Sequence, residues 1–488
     1  MPLRGLLARG RHWLLARHRR LALWVFLPAL AWSLTGLLHP VMSRWQPSAV
    51  AKQPPVELVT APAGLSWSAL PPPAKVLPAE LQLRELRALT WRGVPFWMAQ
   101  LPDGSLRHVD ARNGKPAEIE RELVAFLARH YTGERVAAVS LSQVTAFSAE
   151  YPVVNRYLPV WRVAFDRPDG LVAFIEPRSL QLAALTDTWK TRFSALFGNL
   201  HSWKWWAHEP SRDVAMVLAL GLIMVMAVAG VARAMAVGGS ARPAMRRWHG
   251  RLGLLVTLAV LAWCVSGMLH VLVIDKGRPG FVTYPLASSF RAGEVVMPAP
   301  ANLPEGARLQ VLATPAGPLW HGYQLMPGHL HGAVGDKQSG GTGHVHAGQG
   351  AAPVLHEVYA SARTGEPVAA VDYARMLAAD VASGARWLGV EPVTRFSDEY
   401  GFVQKRLPVY KVRFATPDNL AVYVDPVDAA VASVVRDADR VEGFSFAYLH
   451  KVNWLDFLGK DARDLVAGVF SALVFAVTLW GLLLWRRR

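Results

Sequence analysis

His18-Arg19-Arg20-Leu21-Ala22-Leu23-Trp24 opens a stretch that runs on to Ala31-Trp32-Ser33-Leu34-Thr35-Gly36-Leu37-Leu38-His39. The chain uses this stretch twice. His249-Gly250-Arg251-Leu252-Gly253-Leu254-Leu255 leads in the same way to Ala262-Trp263-Cys264-Val265-Ser266-Gly267-Met268-Leu269-His270. His18 and His249, Trp32 and Trp263, Gly36 and Gly267, and His39 and His270 all differ by 231 in number. Each copy is an apolar run bracketed by two histidines 21 residues apart. At the α-helical rise, 21 residues cover about 31 Å, close to the thickness of a bilayer's hydrocarbon core. Each copy therefore predicts a membrane-spanning helix with one imidazole near each face of the bilayer, both on broadly the same side of the helix.

Two further apolar runs, 214–232 and 465–485, are also long enough to span, which makes four spans in a chain that is 52% hydrophobic and only 18% charged. The net charge of +16 suggests nucleic acid until it is mapped. Residues 1–20 carry six arginines, residues 233–251 five and residues 486–488 three, with no acid among them. Together these supply fourteen of the sixteen charges, while the long segments between spans are nearly neutral. That is the positive-inside pattern, and it argues for a lipid bilayer rather than nucleic acid as partner. It puts both termini and the middle loop in the cytoplasm and both long segments outside. The one cysteine, Cys264, lies within the third span and reads as a packing residue.

The expected order follows. A basic N-terminus (1–20) precedes the first span (21–42), a Pro-rich linker (43–80) and an exported α+β module (81–210). A second span (213–236), a basic loop (237–250) and a third span (251–274) come next. A second module (275–460), with a His-rich insert at 327–349, leads to the fourth span (464–485) and a short tail (486–488). The modules match one another. Leu158-Pro159-Val160-Trp161 and the strand pattern to Phe165 recur as Leu407-Pro408-Val409-Tyr410 to Phe414, at an offset of 249. Glu150-Tyr151 matches Glu399-Tyr400, and Leu200-His201 matches Leu449-His450, at that same offset. Fixed offsets over such lengths indicate internal duplication. Each half starts and ends inside, so the halves are parallel repeats about an axis along the membrane normal. The expected fold class is an α-helical membrane bundle of four transmembrane helices with two periplasmic α+β modules.

Neutral imidazole is the commonest metal ligand, and haem held in a helix bundle takes axial nitrogens from facing helices. Six histidines near the membrane come in matched pairs: His18/His249, His39/His270 and His201/His450. The axis turns the first and third spans face to face, so that His18 and His249 converge at the cytoplasmic rim. At the outer rim His39, His270, His201 and His450 allow several pairings, and one haem or two. Trp32 and Trp263 are candidates to flank such a group. Gly36 and Gly267 either admit a flat macrocycle or bring helices close. In the insert, His329, His331, His344 and His346 form two His-x-His pairs of the kind that hold Zn, Cu or Ni loosely.

The Leu-Pro-Val-Trp/Tyr strand and the paired Gly-x-Leu-His spans resemble the PepSY-associated transmembrane family. Within it, the chain is similar to bacterial inner-membrane siderophore-iron reductases of the ferrioxamine-reductase type. The resemblance implies haem b in the membrane, two or three per chain, and reduction of a periplasmic ferric siderophore to release Fe(II). It implies an enzyme with no catalytic residue beyond haem ligands. The chain departs from the family in its His-rich insert, and it lacks the flavin or nicotinamide domain that some relatives carry. The electron donor is then a quinol or a cytoplasmic partner. Two other readings compete: a membrane-anchored regulatory protein of the peptidase-inhibitor kind, and a transporter. The spans hold no charged residue at mid-depth, which counts against the transporter.

Overall fold

The structure is a computed structural model describing residues 2–136, 138–236, 244–274, 284–285, 289–326, 354–382, 384–401 and 406–486. For residues 2–20 only the backbone is described. The chain divides into a helical unit (1–46, 189–278 and 438–488) and a sheet unit (47–188 and 279–437). Helix Thr188–Leu200 and the segment from 438 to 460, expected within the exported modules, thus belong with the helices.

Four helices of the helical unit are long and apolar enough to cross a membrane: Leu21–Arg44, Glu209–Arg233, Ala244–Val273 and Lys460–Trp485. A helix pairs most of its backbone polar groups internally, as a lipid environment requires, although Pro28 and Pro40 interrupt the ladder of the first span. The first span packs against the second and fourth, and the third span packs against the same two. The first and third spans are therefore diagonal across the bundle rather than direct neighbours. Gly36 and Gly267 make matching close approaches. A Cβ at Gly36 would lie 2.9 Å from Ser471 Oγ on the fourth span, and one at Gly267 would lie 3.3 Å from Leu220 Cδ1 on the second. Leu220 and Ser471 differ by 251, as do Arg212 and Arg463, and Asp213 and Asp464. Small residues at helix contacts let backbones approach where no hydrophobic effect drives association. Both glycines serve helix packing.

In the sheet unit, alternating apolar residues build antiparallel sheets covered by helices. The largest sheet has eight strands in the order Pro367–Val368, Val354–Ser361, Gly317–Met326, Arg308–Thr314, Glu85–Trp91, Val94–Gln100, Leu106–Asp110 and Pro116–Ala117. Its centre joins the two sequence halves. Arg308–Thr314 pairs with Glu85–Trp91 in the register Gln310 to Arg87, Val311 to Leu86 and Leu312 to Glu85. The modules therefore share one sheet instead of standing apart. A four-stranded sheet (138–186) carries helix Glu120–Thr132, with Leu123, Leu127 and Tyr131 in its core. A five-stranded sheet in the order Tyr284–Pro285, Ala430–Val435, Ala421–Asp425, Val409–Phe414 and Trp387–Val393 carries helix Ala370–Ala382, with Tyr373 and Leu377 in its core. Matched residues do matched things: Tyr151 OH donates to the Tyr157 carbonyl and Tyr400 OH to that of Arg406.

The segment 43–80 is not a free linker. Leu58 and Val59 enter one core and Trp67, Leu70 and Leu77 another. A buried ionic cluster spans both sequence halves. Arg178 lies 2.9 Å from Glu85 and 3.1 Å from Asp428, while Arg406 lies 2.6 Å from Asp425 and also bonds Asp428. Charges removed from water persist only when compensated in this way.

Candidate histidine site

Four of the six matched histidines meet at one end of the helical unit. The last turn of helix Thr188–Leu200 carries Phe197, and His201 follows one turn later, its N–H donating to the Phe197 carbonyl at 2.8 Å. Phe446 and His450 bound a five-residue wide turn after helix Asp437–Ser445, closed by Lys451 N–H on the Phe446 carbonyl at 3.0 Å. Such π-turns recur at functional sites. A spacing of four places phenyl and imidazole on one face of the chain.

The rings form a file. His39 lies 5.8 Å from Phe197, which stacks on His201 at 4.4 Å and 14°. His201 faces His450 at 6.2 Å with their planes 88° apart. His450 stacks on Phe446 at 4.9 Å and 13°, and Phe446 on His270 at 4.8 Å and 20°. The central pair comes from the two segments that precede the second and fourth spans.

Both segments are tied to the first and third spans. Trp32 Nε1 donates to the His201 carbonyl at 2.8 Å, and Trp263 Nε1 to the His450 carbonyl at 3.2 Å. Trp32 also stacks on Trp203 at 5.4 Å and 2°. The two tryptophans, expected beside a haem, hold the backbone of the central histidines. Side-chain bonds differ between the halves. Thr35 Oγ1 and His201 Nδ1 are 2.9 Å apart. The matched atoms, Ser266 Oγ and His450 Nδ1, are buried without a hydrogen-bond partner among the described residues. His270 Nδ1 bonds Glu442 Oε1 at 2.6 Å, where the first half has Phe193.

Burial pushes the His201 imidazole down to about 4 and that of His450 down to about 3; neighbouring imidazoles push both the same way, and Lys451 adds to the effect on His450. Both rings are neutral near pH 7, the form that binds metals. Two imidazoles sharing one metal ion at bonds of about 2 Å would have centroids roughly 6 Å apart, as His201 and His450 do. Among the described residues no three His, Cys, Asp or Glu side chains converge as a metal cage. A pair without a cage suits a group that brings its own equatorial ligands and takes two from protein, as haem does.

At the other end, the His249 ring packs on Gly481, 3.3 Å from where a Cβ would lie, and its Nδ1 is buried without a partner among the described residues. The His18 side chain lies outside the described residues, so the His18/His249 pair is seen from one side only. His329, His331, His344 and His346 also lie outside them. Phe197, Phe446, Thr35 and Glu442 were not expected from sequence. The phenylalanines carry a readable signal, Phe-x-x-x-His at 197–201 and 446–450, at the offset already found for the histidines. Glu442 has no counterpart and gave no such signal. No protein-family model matches the chain, and no curated protein matches it.

Proposed function

We propose that the chain is a bacterial inner-membrane electron conduit that holds haem b and reduces ferric chelates, siderophores among them, on the periplasmic side. The observation that carries this reading is the His201/His450 pair: two neutral, half-buried imidazoles, 6.2 Å apart and crossed at 88°, raised from matched segments of an apolar bundle. The PepSY-like character of the modules and the duplication of the halves belong to the same reading, as does the orientation set by the arginines. His201 and His450 would hold the outer group, and His249 with His18 an inner one. Held between two imidazoles, haem supplies a one-electron couple. Around it, Trp32 and Trp263 fix the backbone of the central histidines, and Phe197 and Phe446 restrain the ring planes and keep water from them. One electron delivered to a ferric chelate gives Fe(II), which hard oxygen ligands bind more weakly, so the metal is released. The electron comes from a cytoplasmic reductase, docked on the arginine-rich face, or from quinol.

The test is a visible spectrum of the full-length protein purified from cells well supplied with haem. Reduction with dithionite is expected to give the split bands of bis-imidazole haem. His450→Ala is expected to remove the outer component and leave an inner one, and His249→Ala the reverse. A colourless protein overturns the proposal and leaves the spans as anchors.

A further inference from the structure

Thr35 sits on the first span and is 1% exposed. Its hydroxyl oxygen lies 2.9 Å from the Ala31 carbonyl, 3.0 Å from the Trp32 carbonyl and 2.9 Å from His201 Nδ1. A hydroxyl has one proton to give, and carbonyl oxygens only accept. When the Thr35 proton goes to its own helix, the bond to His201 runs the other way, from Nδ1–H to Oγ1, and Nε2 is bare; donation from Thr35 to Nδ1 would instead put the ring proton on Nε2.

The second half holds the same parts in a different state. Ser266 matches Thr35 at the offset of 231, is 1% exposed and leaves its Oγ without a partner among the described residues; His450 Nδ1 is likewise unpartnered. Ser266 lies one turn from Trp263, which holds the His450 carbonyl, and one turn from His270, which stacks on Phe446. It therefore occupies the place on the third span that Thr35 occupies on the first. Burying both a hydroxyl and an imidazole nitrogen unsatisfied is costly, and each supplies what the other lacks.

We infer that Thr35 and Ser266 are positioning residues that hold His201 and His450 in the Nδ1–H tautomer, turn each bare Nε2 toward a shared metal and raise its basicity. This rests on the reading of His201 and His450 as axial ligands, but its first consequence, the tautomer, is independent of it. Outer-shell acceptors of this kind raise ligand basicity, and their loss typically costs 10–100-fold in metal affinity or activity.

The experiment uses the full-length chain in lipid nanodiscs. In Thr35→Val, which keeps shape and removes the acceptor, spectroelectrochemical titration is expected to show the outer midpoint potential shifted upward, with about 10–100-fold weaker retention of the outer pigment. Thr35→Ser is expected to restore the parent values. Ser266→Ala is expected to shift the outer component in the same direction. No shift in Thr35→Val, or an equal shift in Thr35→Ser, overturns the inference. Should Thr35→Val fail to fold, the parent chain decides. Labelled with 15N-histidine and isolated without haem, His201 is expected to show a protonated Nδ1 and a bare Nε2, and a protonated Nε2 overturns the inference. A failure of the functional reading is distinguishable, because it appears in the parent as missing haem bands while the tautomer can still be read.

Discussion

His321 in the sheet unit is sealed from water and His450 in the helical unit is half-buried; both sit in aromatic company, yet they are equipped for opposite tasks. His321 stacks on Tyr359 at 4.3 Å and on Tyr323 at 4.8 Å. Its Nδ1 meets Gln310 Nε2 at 3.0 Å, and its Nε2 lies 3.5 Å from Glu357. Nδ1 is thus engaged by a side chain, while Nε2 faces the Glu357 carboxylate without a hydrogen bond among the described residues. His450 has Nδ1 unpartnered among the described residues and looks across at a second neutral imidazole. Burial of an imidazole by itself marks nothing. What separates the two is what the ring faces: a carboxylate of its own sheet for His321, a second imidazole for His450.

Removing the polar neighbour of His321 is the strongest way to break this contrast. Glu357 accepts hydrogen bonds from Tyr359 and Tyr410. Burial would push its carboxyl up, but the facing His321 ring, with the two tyrosine bonds, holds it below its usual value. Glu357→Ala leaves the part-buried hydroxyls of Tyr359 and Tyr410 without their acceptor, and each such loss costs about 1–3 kcal/mol. Thermal unfolding of the full-length protein is expected to show that loss with the visible spectrum unchanged. A spectral change of the size produced by His450→Ala would erase the distinction between the two histidines.

His108 offers a third case, a buried imidazole in strand Leu106–Asp110 whose Nε2 has no partner among the described residues. Burial alone pushes it from 6.5 down to about 4. Because the folded value lies below the unfolded one, the unfolded chain binds more protons between those values. Stability is therefore full above about pH 6.5 and falls as the pH drops toward 4. Each tenfold difference in proton affinity between folded and unfolded chain is worth about 1.4 kcal/mol, so the loss through this window approaches about 3 kcal/mol. The expected signature is a stability slope between pH 6.5 and 4 that is flattened in His108→Leu. An unchanged slope would assign it to other groups.

The spans were legible because hydrocarbon thickness imposes a length on an apolar run. The matched histidines were legible because they recur at fixed offsets. The shared sheet was not, since strand pairing between residues 86 and 311 is a long-range choice that local alternation cannot specify. A clue was present in Asp110-Ala111-Arg112-Asn113-Gly114 and Ser361-Ala362-Arg363-Thr364-Gly365, two turns at an offset of 251 that end equivalent strands. The Pro-rich stretch from 43 to 80 misled because proline content signals an extended backbone but says nothing about what Leu58, Trp67 or Leu77 covers. The roles of Trp32 and Trp263 were hidden for a similar reason: an indole in a span reads as lipid- or cofactor-facing until its N–H finds an acceptor.

Those two tryptophans give the finest test of how alike the two halves are. Trp32 donates at 2.8 Å and stacks on Trp203, whereas Trp263 donates at 3.2 Å and no indole stacking is seen for it among the described residues. A phenylalanine keeps most of the packing and loses the donor, and a typical net hydrogen bond is worth about 0.5–1.5 kcal/mol. Trp32→Phe gives up a shorter bond and part of a stacked pair, so it is expected to cost about 1 kcal/mol, and Trp263→Phe less. Chemical denaturation of the helical unit, followed by the near-ultraviolet signal of the remaining tryptophans, measures the difference. Equal losses would mean that the two anchors carry the same load and that the asymmetry at the rim lies only in Thr35 and Ser266. A larger loss for Trp263→Phe would reverse it, making the His450 side, with its unpartnered Nδ1, the half that depends more on its indole.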